Sequence, residues 1–479
     1  MKNSILLLAL IFSNIQLSFC FEKETDIIVD VKKQYQTIEG WGSSLCWWAA
    51  QVGNWEESKI DSIVKLFTSE DGANMNIFRY NIGGGDDPSH IDGHMVKGKG
   101  KRAEMEGFKE SEKSDYNFNA DKAQRKILIK IKQARPDAIF EAFSNTPPYW
   151  MTYSGCAAGN ENPNKDNLKP EYYEMFCDYL VDVCQYYKDN YNIDFRTIEP
   201  FNESTSDYWN AFGSQEGCHF DAETQVKIIN ILYDKIKQSS LNSKIAVSDE
   251  NSLGAFLKVM NHYSNSSDFS FEKVGQLNTH TYSGSNQERE EIYKFTKNID
   301  IPFWQSETGP MGIKSGGLKN NLEFTRKLFD DMRLMKPIAW LDWQLIEERS
   351  DVWCLVQGDF KTHQFNVLKN YYVRMQISRF FKKGYTIVDT DNNQSLAAVS
   401  PDNKTLVISV LNSSDIDETL NIKFKGYKVI KLYRTSANED CKEIPIKRAK
   451  NSINYDSPKE SVATFICSKN QLYQNCKLN

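Results

Sequence analysis

FRTIEPFNE at Phe195–Glu203, ETQVKIINILYDKI at Glu223–Ile236 and KIAVSDE at Lys244–Glu250 form a strand–helix–strand unit, and this unit decides the fold. The outer segments are short, apolar and β-branched, whereas the middle one places its apolar residues at helical spacing. The same alternation recurs in both directions from this unit. TIEGWGSSL (Thr37–Leu45), MNIFRYNIG (Met75–Gly83) and AIFEAFSN (Ala138–Asn145) precede it; VGQLNTHTYS (Val274–Ser283), IPFWQSETG (Ile301–Gly309) and PIAWLDWQL (Pro337–Leu345) follow. Amphipathic stretches separate these runs, among them SKIDSIVKLF (Ser58–Phe67), AQRKILIKIKQA (Ala123–Ala134), YYEMFCDYLVDVCQYY (Tyr172–Tyr187) and LEFTRKLFDDMRLM (Leu322–Met335), with NVLKNYYVRMQISRFF (Asn366–Phe381) as the last. Parallel strands need crossover helices, so eight strand–helix units in one chain predict an α/β fold, a closed (β/α)8 TIM barrel.

Past Arg379 the pattern changes to β-like runs separated by Asp, Asn and Ser turns: TIVDT, SLAAVS, TLVISVLN, ETLNIKF, VIKLYRT and VATFICS. They predict a C-terminal antiparallel β-sandwich, which the alternating DIIVDVKKQYQ ahead of the barrel can join. All ten tryptophans precede this region, so it reads as a buttress rather than a sugar-binding module. The expected division is a signal peptide at 1–20, a strand of the side domain at 21–37, the catalytic barrel at 38–380 and the side domain at 381–479. Two long insertions, near Asp86–Asn119 and Ser154–Lys169, follow strands and are expected to wall a cleft.

The first residues carry Lys2, then ILLLALIF, then a stretch ending SFC, the order of a secretory signal peptide. The apolar run is too short to span a bilayer, and Phe19 fits poorly before a lipidated Cys20. The expected product is secreted, to the medium or to a lysosome-like compartment. A net charge of −6, a pI near 5.7 and a mean hydropathy of −0.56 give no reason to bind nucleic acid or an anionic membrane, and a monomer is expected. Nine cysteines follow Cys20, so at least one is unpaired or bonded to another chain; the pairing expected is Cys156 with Cys218. Sequons at Asn265, Asn403 and Asn412 suit a glycosylated surface.

Barrel chemistry sits at the carboxyl ends of the strands. The fourth ends EPFNE and the seventh WQSETG, so Glu203 and Glu307 project from non-adjacent strands toward one pocket. Two opposed carboxylates suit a reaction that protonates a leaving oxygen on one side of a sugar and attacks its anomeric carbon from the other. Asn202, directly before Glu203, can bond the sugar 2-hydroxyl. Glu199, four residues earlier, reads as a packing or pairing residue inside the barrel. Arg79 either pairs with the nucleophile or fills the barrel with its charge satisfied. Tyr282 either bonds the nucleophile carboxylate or is an ordinary strand-end tyrosine, and Asn145 either contacts substrate or caps the next turn. His280 reads as a hydrogen-bonded barrel histidine rather than a catalyst, since no serine or cysteine nucleophile motif accompanies it. Trp47, Trp48, Trp150, Trp209 and Trp343 fall near strand ends, where aromatic faces stack on sugars. Trp150 and Trp343 are expected to contact sugar, Trp209 to form a cleft wall and Trp41 to pack at the barrel floor. Gly83–Gly85 lack the lysine and serine or threonine of a P-loop, and no histidine–carboxylate group has convincing metal spacing; no metal and no cofactor are expected.

Taken together, GWGSSLCWWA at Gly40–Ala49, FRYNIGGG at Phe78–Gly85, NTPPYWM at Asn145–Met151, EPFNE and WQSETG resemble glycoside hydrolase family 30, and the first motif resembles its endo-β-1,6-galactanase branch. The resemblance spans nearly the whole mature chain. It implies Glu203 as acid/base and Glu307 as nucleophile of a retaining hydrolase acting on a polysaccharide or oligosaccharide, with β-1,6-galactan the first expectation. A β-1,6-glucan, a β-fucoside or a xylan is the alternative within that chemistry; a non-catalytic carbohydrate-binding protein or a structural wall protein is the alternative outside it. Retention implies carboxyl groups about 5 to 5.5 Å apart. The acid role also implies a raised pKa for Glu203 beside a charged Glu307.

Overall fold

The computed structural model describes residues 23–85, 87, 105–348 and 350–470. The signal segment, Cys476, Asp86 and much of the first insertion lie outside them. Strand β1 (Lys23–Thr37) leads into a closed barrel of parallel strands: β2 (Gly40–Ser44), β3 (Ile77–Asn81), β4 (Ile139–Phe143), β5 (Thr197–Glu199), β6 (Lys244–Ser252), β7 (Val274–Ser283), β8 (Phe303–Glu307) and β9 (Ala339–Gln344). Closure is made by β2 against β9, with Gly40 opposite Ala339 and Gly42 opposite Leu341. Each predicted strand is present in the predicted order.

The helices are built on apolar stripes. In Glu57–Thr68, Ile60, Ile63, Val64 and Phe67 are buried at the three- and four-residue spacing of one helical face. Helix Asn286–Thr296 starts on a reciprocal capping box between Ser285 and Glu288. Helix Ala222–Gln238 lacks a cap from its own N-cap residue, Asp221. Asp166 serves instead, its carboxylate accepting from Asp221 N and Thr224 Oγ1, both at 2.6 Å.

Facing the barrel axis is a polar network rather than aliphatic layers. Glu141 accepts from Arg79 Nε at 2.8 Å, Thr197 Oγ1 at 2.8 Å, Gln276 Nε2 at 2.8 Å and Asn278 Nδ2 at 3.1 Å, all buried. Glu199 lies in the same interior and accepts from Asn278, as the sequence led us to expect. Because side chains alternate along a strand, Gln305 and Glu307 on β8, and Gln276, Asn278 and His280 on β7, share the inward face. The functional groups therefore grow from the top of a continuous polar column.

Strands β10 (Ile346–Glu347), β11 (Val356–Asp359) and β12 (Gln364–Val367) make a small sheet between β9 and the last barrel helix. The side domain follows with β13 (Thr386–Thr390), β14 (Ser395–Val399), β15 (Thr405–Asn412), β16 (Glu418–Ser436), β17 (Glu439–Glu443), β18 (Lys450–Ser457) and β19 (Ser461–Lys469). ETLNIKF and VIKLYRT are one strand, β16, which shifts register around Gly426 (φ +92). One half of β16 pairs with β1 and β18, and the other half with β19 and β17. The sheet thus wraps back onto β1 around Ile27, Val388, Leu406, Ile408, Ile422 and Phe465. Side domain and barrel are tied by bonds such as Trp41 Nε1 to Phe381 O at 2.6 Å and Gln36 Nε2 to Met332 O at 2.8 Å.

Two surface expectations are corrected. All eight described cysteines are buried and none of them is in a disulfide, so Cys156 and Cys218 do not pair. Cys156 Sγ instead accepts from Phe212 N at 3.3 Å, while Cys218 Sγ donates to His219 O at 3.5 Å. Asn412 is fully buried, its amide donating to Ile416 O, Ser457 O and Pro458 O, which leaves no nitrogen open to a glycan. No described helix is long and apolar enough to cross a membrane.

Candidate active site

Glu203 lies just beyond β5, and its backbone is left-handed (φ +51), an uncommon conformation for a non-glycine residue. Its N–H donates to Asp249 O at 2.8 Å, and Asp249, on β6, is itself left-handed (φ +55). Backbone strain of this kind persists where the surroundings over-determine it, and here it turns the Glu203 side chain into the cleft. The Glu203 carboxylate accepts from His280 Nδ1 at 2.9 Å, Asn251 Nδ2 at 3.0 Å and the Tyr208 hydroxyl.

Glu307 ends β8 and is held from two sides. Tyr282 OH donates to one oxygen at 2.9 Å and Arg79 Nη1 to the other at 3.0 Å. Arg79 is fully buried and also bonds Glu141 and Asp249, so both readings of this residue apply: it pairs with Glu307, and its charge is satisfied within the barrel. His280 Nδ1 is 3.6 Å from Glu307, and Nε2 is 3.2 Å from Asp249 Oδ1 without hydrogen-bond alignment. One carboxylate oxygen each from Glu203 and Glu307 and a His280 ring nitrogen lie within 4.8 Å of one another.

These groups open into a cavity of about 310 Å³. Of the residues singled out in the sequence, Asn202, Glu203, Tyr282, Glu307 and Trp343 line it. Asn202 Oδ1 is buried and has no partner among the described residues, leaving an acceptor for a ligand hydroxyl. Trp343 is braced edge-on by Trp47 at 5.7 Å, so the GWGSSLCWWA segment forms the wall behind it. Three further residues singled out in the sequence stand away from the cavity lining. Trp150 packs edge-on to Tyr172 and donates to Lys109 O at 2.8 Å, anchoring the first insertion rather than facing the cavity. Trp209 lies buried behind Glu203 and donates to its carbonyl at 3.0 Å. Asn145 donates to Asn81 Oδ1 at 3.0 Å beneath the loops.

Sequence reasoning missed Tyr208, Gln215, Asn251, Met311 and Trp353, which complete the lining among the described residues. Asn251 was within reach of the strand-end rule, since it follows SDE directly on β6. The others sit on loops, where spacing carries no signal. Asp166, His219 and Asp221 also converge, but Asp166 is occupied in starting helix Ala222–Gln238, and His219 Nδ1 lies 3.1 Å from Ser206 O.

Burial raises the pKa of both carboxyls, and their partners separate them. At Glu203 burial is outweighed by His280, Tyr208 and Asn251, which hold the group below its usual value. At Glu307 burial wins over His280 and Arg79, and the charge of Glu203 adds to it, so this group lies above its usual value. The order is the reverse of that expected from the acid role, because Glu203 accepts from three donors, His280, Tyr208 and Asn251, and Glu307 from two, Arg79 and Tyr282. Nearby, burial raises the Tyr282 phenol far above its usual range, keeping it a neutral donor.

Comparisons with known proteins bear on the family and the fold. Residues 24–283 match the family model described as O-Glycosyl hydrolase family 30. An endo-beta-1,6-galactanase of Hypocrea rufa is 30% identical over 412 residues, covering 81% of each chain. An exo-beta-1,6-galactobiohydrolase of Bifidobacterium longum is 22% identical, covering 82% of this chain and 34% of that protein. Among solved structures, a conserved exported protein from Bacteroides fragilis superposes with a TM-score of 0.80 at 18% identity, over 92% of this chain and all of the other. The catalytic domain of GH30 xylanase C from Talaromyces cellulolyticus gives 0.73 at 16% identity, over 93% of this chain and all of that one. The barrel, its side domain and these matches together show that the chain is an O-glycosyl hydrolase belonging to glycoside hydrolase family 30.

Proposed function

We propose that the protein is a secreted retaining endo-β-1,6-galactanase in which Glu203 is the acid/base and Glu307 the nucleophile. The observation that carries the mechanism is the approach of the two carboxylates to within 4.8 Å across the cleft. Inverting enzymes hold their carboxyls roughly 6.5–9.5 Å apart to admit a water between nucleophile and sugar, and retaining ones hold them about 5–5.5 Å apart. The closest oxygens here fit the shorter class.

In the first step a Glu307 oxygen bonds to the anomeric carbon as its bond to the leaving oxygen breaks, and the Glu203 proton passes to that oxygen. In the second step Glu203 takes a proton from water, the water oxygen bonds to the anomeric carbon, and Glu307 departs as a carboxylate. Two close buried carboxyls share one proton. The reactive arrangement places it on Glu203, and the bonds from Arg79 and Tyr282 favour the ionised Glu307 this requires. Asn202, with its open acceptor, is placed to bond a sugar hydroxyl as positive charge develops.

The galactan reading rests on the 30% identical relative named as an endo-beta-1,6-galactanase and on the resemblance of GWGSSLCWWA. Secretion rests on the leader-like order of the first residues. Incubating the protein with β-1,6-galactan, de-arabinosylated arabinogalactan, β-1,6-glucan and xylan and following the products tests the specificity. A ladder of β-1,6-galacto-oligosaccharides from the first two is expected. Cleavage confined to β-1,6-glucan or xylan would overturn the galactan assignment.

A further inference from the structure

Phe212 is half exposed and left-handed (φ +57), a costly conformation for a bulky side chain. Its setting is a fixed loop. Trp209 is buried and bonded to the Glu203 carbonyl, and it is packed so closely that a Cβ at Gly159 would lie 2.2 Å from its backbone and one at Gly217 2.0 Å from its ring. Asn160 and Asn210 form a β-bridge, Ala211 N donates to Asn160 O at 2.8 Å and Phe212 N to Cys156 Sγ at 3.3 Å. The loop after β4 thereby fixes the loop after β5, and Phe212 is presented to solvent from a rigid base.

Tyr208 and Gln215, on either side of Phe212 in the chain, line the catalytic cavity. The described part of the barrel exposes four large apolar side chains, Tyr153, Tyr208, Phe212 and Met311, and two of these border that cavity. Phe212 thus stands four residues after Tyr208 and three before Gln215, on the loop that forms this part of the cavity's rim. Its loop also carries Glu203, which must reach the leaving oxygen, so this rim lies toward the departing part of the substrate.

We infer that Phe212 is an aromatic platform of a distal binding subsite on the leaving-group side, stacking on the C–H face of a sugar unit beyond the bond that is cut. The inference rests on the glycosidase reading of the cleft, and it makes chain length a determinant of turnover. Stacking exploits the ring's apolar face, and the strained backbone is the cost of holding that ring outward.

The test compares kcat/KM on a short aryl β-galactoside with that on β-1,6-galacto-oligosaccharides of increasing length, and on the matching gluco-oligosaccharides. For Phe212→Ala the ratio of long-chain to short-chain kcat/KM is expected to fall about tenfold, the scale of one lost aromatic contact, while Phe212→Tyr keeps it. Phe212→Gly is expected to lose the same ratio with an unchanged or higher Tm, since glycine accepts the left-handed backbone. A ratio within about twofold of the parent in both the alanine and glycine variants, or a clear drop in Tm for the glycine variant, would overturn the inference. A parent that cleaves only the gluco series overturns the galactan assignment instead, and the length ratio in that series still decides the role of Phe212.

Discussion

Tyr282→Phe removes one hydrogen bond and nothing else from the pair of glutamates. The phenol donates to Glu307 Oε1 at 2.9 Å, and Glu307 is 2% exposed, so no solvent replaces the lost donor. A hydrogen bond to a charged group is worth roughly 1.5–3 kcal/mol, and that energy favours the ionised form of Glu307 alone. Without it, the proton shared by Glu203 and Glu307 prefers Glu307 more strongly by the same amount. The reactive arrangement, with the proton on Glu203, then becomes roughly 10- to 100-fold rarer. Glu307, already raised by burial, also holds its proton to higher pH. The plateau of kcat/KM should therefore fall by that factor, and the alkaline limb should move up by about 1–2 pH units. The assay is the pH dependence of kcat/KM for parent and variant on one soluble substrate. The parent is expected to give a bell, because activity needs one proton on the pair, no more and no fewer. A fall in rate with an alkaline limb displaced by less than about 0.3 unit would mean that the tyrosine only shapes the pocket. An unchanged rate would refute the assignment of Glu307.

Further outcomes follow from the same geometry. Glu307→Gln should lower turnover on the order of 10³-fold or more while oligosaccharide binding, measured by calorimetry, stays within about tenfold of a slow parent analogue complex. Glu203→Ala should spare the first step on an aryl glycoside whose leaving group needs no proton, and added azide should speed release and give a β-glycosyl azide; an unresponsive variant would count against the acid/base role. Glu216, which accepts from Asn81 Nδ2 and Gly84 N, is pushed up to about 8 by burial, although those bonds oppose the shift. The folded chain then keeps a proton that the unfolded chain releases near the ordinary carboxylate value, so stability falls as pH rises between the two values, by at most ~1.4 kcal/mol per pH unit. Glu216→Gln should flatten that part of the Tm-against-pH curve, and a curve parallel to the parent's would contradict the shift.

The barrel was legible because it is written in periodicity. Each predicted strand from TIEGWGSSL to PIAWLDWQL is present, and Glu203, Tyr282 and Glu307 meet because strand ends converge on one face. The polar interior was less visible: Glu141 looks like any strand glutamate until Arg79, Gln276 and Asn278 are seen around it. Asp249 escaped notice for a related reason, since its contact with Glu203 is through a backbone carbonyl, which no side-chain identity reveals. Trp150 and Trp343 carried the same signal, an aromatic residue near a strand end, yet only Trp343 lines the cavity, because loop packing decides which way such a residue faces. In the side domain, ETLNIKF and VIKLYRT read as two strands because the intervening KGYK breaks the apolar alternation, whereas the chain continues as one strand, β16, through a change of register around Gly426. The expected disulfide failed because loop cysteines signal export chemistry but not distance; Cys156 and Cys218 are buried thiols bonded to other groups.

The most direct test of the central claim is to trap the intermediate. A 2-deoxy-2-fluoro-β-galactoside with a dinitrophenyl leaving group slows both steps but is activated for the first, so a glycosyl-enzyme should accumulate. Mass spectrometry of the intact protein followed by peptide mapping should find one fluorosugar per chain, ester-linked to Glu307, and the released parent product should keep the β configuration. An adduct on Glu203, or no adduct together with an α product, would contradict the account.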